Sequence, residues 1–316
     1  MQMPNFWNEK GIVSSCLIPA SWIVASIGRY RQQMGLPEPV PVPLICVGNL
    51  TVGGAGKTPV SIDIGSRLQA RGVRSHFLTR GYKGQLKGPV MVDMKLHTYK
   101  DVGDESLLLA RRSPCFVSTD RPAGARAAAA NGAQVVVMDD GFQNPNIQKA
   151  LSLVVVDGGY GFGNCRVIPA GPLREPIKDG LMRADAIISI GPPFLEIDTD
   201  KPILRAKMQP VFGDEIVGKK VIAFAGIGRP EKFFESLRKL GAEVISTHSF
   251  PDHHPYSIHE IETILAKKEC DEDLIITTEK DMVRLPLTTL KSIITLPVEI
   301  KWENEELIEA LLSKVA

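Results

Sequence analysis

The chain has 316 residues, a formal net charge of +1, and 44% apolar against 23% charged residues. That is the balance of a folded protein with room for one large or two ordinary cores, and it argues against disorder and against a broadly basic nucleic-acid binder. Cys16, Cys46, Cys115, Cys165 and Cys270 are odd in number and far apart, with no Cys-x-x-Cys pair, which argues against a disulfide framework or zinc knuckle and fits a reducing compartment.

From Gly11 to Gly28 the chain reads "GIVSSCLIPASWIVASIG", without a charge, between Lys10 and the pair Arg29 and Arg31. The run is short for a spanning helix of about 20 residues, and Pro19 interrupts it. It has no charged n-region of a secretory signal, since Glu9 offsets Lys10. An interfacial helix with Trp7 and Trp22 near the headgroups is the expectation, and a helix buried against the body is the alternative. "EPVPVP" at 38–43 then reads as an extended linker.

Strands and helices alternate from there. "LICVGN" is an apolar strand; Val60, Ile64 and Leu68 recur at helical spacing, with Gly72 where a cap belongs. "SHFLTRG", "CFVS", "QVVVMDD", "LSLVVVD" and "ADAIISIG" read as further strands, and "DESLLLARR" and "RPAGARAAAANG" as helices between them. Such alternation predicts parallel crossovers and a doubly wound α/β sheet. After about residue 215 the pattern restarts with "KKVIAFAGI", "PEKFFESLRKLG", "EVISTHSF", "IHEIETILAKK", "DLIITTEKD", "LPVEIK" and "NEELIEALLSKV". The expected division is therefore 1–37 (membrane-interacting helix and linker), 38–215 (nucleotide domain) and 216–316 (a smaller α/β domain).

The chemistry concentrates in a few stretches. "TVGGAGKT", running Thr51, Val52, Gly53, Gly54, Ala55, Gly56, Lys57, Thr58, fits a P-loop except that Thr51 stands where the first glycine belongs. It follows a strand and opens a helix, where backbone N–H groups receive phosphate, Lys57 meets the outer phosphates and the Thr58 hydroxyl reaches Mg²⁺. Asp139 and Asp140 end a parallel strand, at the edge where ligands of such sheets bind, and suit Mg²⁺. In "VGDES", Asp104 or Glu105 is a candidate base for an attacking hydroxyl, or simply complements a helix dipole. His248, His253 and His254 match no zinc pattern; a loop histidine that orients a carboxylate or substrate is the better reading. Arg166, Arg174 and Glu175 lie in a Pro/Gly-rich stretch, and arginine there suits a bidentate grip on phosphate. "AGIGRP", with Arg229, lacks the third glycine of a dinucleotide turn.

Taken together, "VGNLTVGGAGKTP", "TRGYKG", "VGDE", "DR" at Asp120 and Arg121, "DDGFQ", "PAGPLREP", "FPDHH" and "TTEKDMVRLP" occur in the order of one family, and the chain closely resembles the tetraacyldisaccharide 4'-kinases of lipid A biosynthesis. The resemblance implies a P-loop NTPase-like fold and ATP- and Mg²⁺-dependent phosphorylation of the 4'-hydroxyl of a tetraacyldisaccharide 1-phosphate, giving lipid IVA. It implies a membrane-surface enzyme on the cytoplasmic face of the bacterial inner membrane, with a lipid substrate and neither nucleic acid nor a protein partner. It matches Lys57 and Thr58 to the phosphate and Mg²⁺ positions, Asp104 to the catalytic aspartate and His253 to its partner. Asp139, Asp140 and Glu175 match acids near the metal, and Arg121, Tyr82 and Arg174 match motif positions for substrate. Asn144 departs from the family, which usually carries histidine there. A partitioning-type membrane ATPase is the rival class; its signature lysine would stand where this chain has Val52. A nucleotide-responsive membrane scaffold without an acceptor is a second rival.

Overall fold

The central strands form where Val, Ile and Leu cluster, and they are buried at every position. A computed structural model describes residues 4–192, 199–211, 214–268, 270 and 273–315. Along the first two thirds of the chain lie β1 (Leu44–Gly48), β2 (Ser75–Thr79), β3 (Val90–Met91), β4 (Cys115–Val117), β5 (Val135–Asp139), β6 (Leu151–Asp157), β7 (Ala186–Ile190) and β8 (Ile203–Pro210). They are followed by β9 (Lys220–Ala225), β10 (Glu243–Ser249), β11 (Leu274–Thr278), β12 (Ile294–Leu296) and β13 (Val298–Trp302).

Nine strands make one sheet in the order β13-β8-β7-β6-β1-β5-β2-β4-β3, parallel except at its two antiparallel edges. β1 lies inside it, with Val47 beside Asp139 of β5 and Gly48 beside Val154 of β6. The chain leaving β1 therefore emerges next to the acid at the end of β5. Helices Lys57–Ala70, Asp104–Ala110 and Glu305–Leu312 cover one face, and Arg121–Ala130 with Ile177–Met182 the other. A second sheet, β10-β9-β11-β12, is wholly parallel and has its own two apolar layers. The doubly wound sheet and smaller α/β unit expected from the alternation are both present.

Two expectations need correction. The smaller unit does not run to residue 316. β13 pairs antiparallel with β8 of the large sheet, and Ile308, Leu311 and Leu312 of the last helix are buried in the large sheet's core. Trp302 donates to Asp63 at 2.9 Å, and Arg67 pairs with Glu305 and Glu309, so the C-terminal segment is stitched to the helix after β1.

The N-terminal segment is not one helix but two, Ile12–Cys16 and Ile18–Met34, divided at Leu17 with Pro19 at the start of the second. Its packing is inverted relative to an ordinary surface helix. The small residues Ser14, Ser21 and Ala25 face the protein, whereas Ile12 is 84% and Trp22 68% exposed, with Ile23, Ile27 and Tyr30 outward as well. Ser14 and Ser21 donate to the carbonyls of Ala170 and Val167 at 2.6 Å, tying the segment to the Pro/Gly-rich stretch. Among the described residues no helix is long and apolar enough to cross a membrane.

Candidate functional site

The glycine-rich loop follows β1. Gly53 and Gly56 hold φ of 108° and 89°, in the left-handed region, and a Cβ on Gly56 would stand 2.7 Å from Ile190 Cδ1, so only glycine fits. Thr51 needs no such freedom. It forms an antiparallel bridge with Leu173, flanked by Val52 N–H donating to Pro172 O and Arg174 N–H donating to Leu50 O, both at 2.7 Å. An extended, paired backbone accepts a β-branched residue, which is why threonine can occupy the usual glycine position. Ala55 is buried, and nothing stands within 4 Å of where a Cβ on Gly54 would lie.

Lys57 and Thr58 are the first two residues of the helix Lys57–Ala70. Thr58 donates to Asp139 Oδ2 at 2.8 Å and Ser61 to Asp139 Oδ1 at 3.2 Å. Burial, reinforced by the Glu105 carboxylate, pushes the Asp139 carboxyl up to about 7. Asp140, at φ 54°, points its carboxylate at Arg174 (2.8 Å) and Lys57 (3.7 Å). Burial opposes its charge, but those two cations hold its carboxyl below the usual range. A buried carboxylate strained toward neutrality beside a hydroxyl at a helix N-terminus is a donor set that suits a hard dication such as Mg²⁺.

Glu175 was expected with these acids, and the structure sets it one step away. Arg183 Nη2 reaches both of its oxygens at 2.6 and 2.8 Å, and Gln143 donates to it at 3.1 Å. Gln143 Oε1 accepts from Arg174 at 3.3 Å, so Glu175 joins Asp140 only through a chain of side chains. Among the described residues no three His, Cys, Asp or Glu side chains converge as a metal cluster.

A second constellation straddles the two units. Asp104, 4% exposed, begins the helix Asp104–Ala110, and its Oδ2 lies 2.6 Å from His253 Nδ1 in the loop after β10. His253 holds φ 62° and its ring meets Tyr82 edge-on at 5.5 Å between centroids. Burial works against the Asp104 charge, but the His253 hydrogen bond together with Lys280 and Arg284 keeps its carboxyl below the usual range. His248 and His254 belong elsewhere, beside Lys267 and on Glu260 respectively.

Arg121 opens the helix Arg121–Ala130, buried, with Nη1 donating to Ser118 O and its Nε without a partner. Burial lowers it to about 10. It lines a surface cavity of ≈ 600 Å³ with Glu38, Asp120 and Asn144. The side chain of Asn144 accepts from Asn146 N–H at 2.9 Å, so the amide in the family's histidine position closes its own turn.

Sequence reasoning missed Lys280 and Arg284. Lys280 lies 3.3 Å from His253 Nε2, and Arg284, fully buried, lies 3.5 Å from Asp104. Arg284 is itself held by Asp281, which also accepts from Tyr256 (2.8 Å) and Gly226 N–H (2.9 Å). Both residues sit in "TTEKDMVRLP", a stretch noticed for its likeness to the family, but nothing in its pattern points to Asp104.

A family model described as Tetraacyldisaccharide-1-P 4'-kinase matches residues 13–316. The chain is 49% identical to the tetraacyldisaccharide 4'-kinase of Paramagnetospirillum magneticum over 321 residues, covering 100% of this chain and 99% of that protein. It is 47% identical to the one of Rhodospirillum centenum, over 99% of this chain and 96% of that one. Among solved structures, it resembles LpxK from Aquifex aeolicus in complex with ATP, with a TM-score of 0.80, 29% identity, and 96% and 99% of the two chains covered.

Proposed function

The chain belongs to the tetraacyldisaccharide-1-P 4'-kinase family, and from that premise we propose how its own residues transfer the γ-phosphoryl group of ATP to the 4'-hydroxyl of a tetraacyldisaccharide 1-phosphate, giving lipid IVA. The observation that carries the reading is the Asp104–His253 pair at 2.6 Å, drawn from two units, with the adjacent Glu105 close enough to act on Asp139, the partner of Thr58 in the P-loop. Phosphoryl transfer asks for placement, charge neutralisation and a base near the acceptor, and little else.

Loop N–H groups and the helix N-terminus hold the phosphates, and Lys57 meets the outer ones. Thr58 with Asp139 and Asp140 would hold Mg²⁺, which when bound neutralises charge on the phosphates. Glu175 keeps Arg174 and Gln143 in place from one step back. Asp104 accepts the proton of the 4'-hydroxyl as the new O–P bond forms and ADP departs with the electrons of the broken bond; His253 orients the carboxylate. Arg121, Tyr82 and Arg174 are assigned to the substrate's polar head. The outward apolar face of residues 12–34 supports seating at a membrane surface, where the acyl chains remain, and the cytoplasmic face of the inner membrane is where ATP is available.

The deciding experiment supplies γ-labelled ATP and tetraacyldisaccharide 1-phosphate. Label should appear in lipid, and Asp104→Asn should lower the rate by about 10²–10⁴-fold while ATP still binds. Full transfer by the variant would remove Asp104 as the base.

A further inference from the structure

The Asp104–His253 pair leaves the other ring nitrogen to account for. His253 Nε2 lies 3.3 Å from Lys280 Nζ and 3.7 Å from Asp252 Oδ2. The ammonium is the nearer group, and it has donors only. Lys280 also lies 3.4 Å from Glu105 Oε1 and 3.7 Å from Asp252 Oδ1. Burial works against its charge, but Glu105, Asp104 and Asp252 outweigh it and raise Lys280, so the ammonium stays protonated through neutral pH. Nε2 must therefore accept, which leaves the ring proton on Nδ1, where it donates to Asp104 Oδ2 at 2.6 Å. A second ring proton would set Nε2–H against the hydrogens of Nζ. The other groups around the pair do not supply a competing donor: Tyr82 presents its ring to His253, and Arg284 reaches Asp104 at 3.5 Å rather than the imidazole.

We propose that Lys280 is a positioning residue for phosphoryl transfer, whose ammonium holds His253 as the neutral Nδ1–H tautomer and so leaves Asp104 facing a neutral donor. Without that cation, Asp104 and Asp252 on either side of the ring favour imidazolium. Asp104 would then be bound to a full positive charge and become a weaker base. The catalytic consequence rests on the proposed function; the tautomer is a property of the free protein. Lys280 and His253 both belong to the smaller unit, whereas Asp104 and Glu105, which they meet, belong to the larger one.

The test uses the full chain labelled with ¹⁵N in histidine, without substrate, followed by long-range ¹H–¹⁵N spectra across pH. Wild-type His253 should show an unprotonated Nε2 at neutral pH. Lys280→Arg, which keeps the cation, should retain the wild-type pattern, whereas in Lys280→Met and Lys280→Gln a proton should stand on Nε2 at a pH where the wild type carries none there. The acid limb of kcat/KM should move with it in the Met and Gln variants, which a purely structural role for Lys280 would not produce. The Gln variant keeps a hydrogen-bond donor, so it carries the comparison if the Met variant fails to fold. A protonated Nε2 in the wild type, or wild-type spectra in both neutral variants, overturns the proposal. Shifted spectra in a protein that never labels lipid would leave the tautomer standing and remove the kinase reading.

Discussion

At the scale of single residues, the site runs on carboxylates whose surroundings pull them apart. Asp139 is pushed up by burial, whereas Asp104 is held down by the His253 hydrogen bond with Lys280 and Arg284, and Asp140 by Lys57 and Arg174, against the same effect. Asp104 has a consequence for stability. Its folded pKa lies below its unfolded value, so its contribution is present above roughly pH 4 and is lost as pH falls through the folded pKa. Asp104→Asn removes the charge that buried Arg284 and Lys280 face and leaves His253 Nδ1–H donating to a neutral amide oxygen. Urea unfolding at pH 7 should show a loss of about 1–3 kcal/mol, narrowing as the pH falls below that of the free carboxyl. A difference that does not change with pH would mean that the charge is not what stabilises the fold here.

At the scale of elements, the N-terminal helices show how a pattern can be read correctly for character and incorrectly for form. The uncharged run was legible, but the break at Leu17 and the continuation past Gly28 to Met34 were not. Nor was the choice of face: Ser14 and Ser21 turn inward because carbonyls of the 167–170 stretch need donors, and the large apolar side chains are left outward. The interfacial reading predicts that Trp22→Glu combined with Ile23→Glu weakens co-sedimentation with phosphatidylglycerol-containing vesicles by about tenfold or more, given 1.5–3 kcal/mol for each large side chain. The thermal midpoint should stay put, since both side chains are exposed. Undiminished sedimentation would place the membrane contact on another surface.

At the scale of the whole molecule, the last strand and helix belong to the large-sheet unit although they follow the smaller one in sequence. β13 closes an edge of the large sheet, and the helix Glu305–Leu312 lies on the same core as the helix that starts at Lys57. Removing residues 298–316 should therefore damage the unit that carries the P-loop rather than trim the smaller one. The loss of buried Trp302, Ile308, Leu311 and Leu312 should cost on the order of 5 kcal/mol or more, read as a lower urea midpoint and loss of ATP binding. A truncated chain that binds ATP with the original midpoint would contradict this account. Interactions between the units include the ionic or hydrogen-bonded pairs Asp104 with His253, Lys280 with Glu105, Arg229 with Asp157 and Arg112 with Glu279, beside the Tyr82–His253 ring contact and Val283 packed on the large sheet's core. Contacts of that kind suit units that open and close around a substrate.

What the chain determined by itself was whatever depends on near neighbours. Apolar runs made strands, helical spacing made the covering helices, and Gly53, Gly56, Lys57 and Thr58 made the loop proposed as a phosphate cradle, because backbone conformation and side-chain period are local properties. Asp139 and Asp140 were legible for the same reason: a strand that ends in acid places that acid at the sheet's edge. The tertiary structure alone decided which distant groups meet. Asp104 and His253 are 149 residues apart, and likeness to a family, not spacing, suggested the pair. Lys280 and Arg284 joining them, Glu175 turning to Arg183, and β13 returning to β8 had no local signature. A hydrogen bond or ion pair depends on where two segments are packed, and packing is set by the burial of apolar surface across the whole fold, which no short stretch of sequence contains.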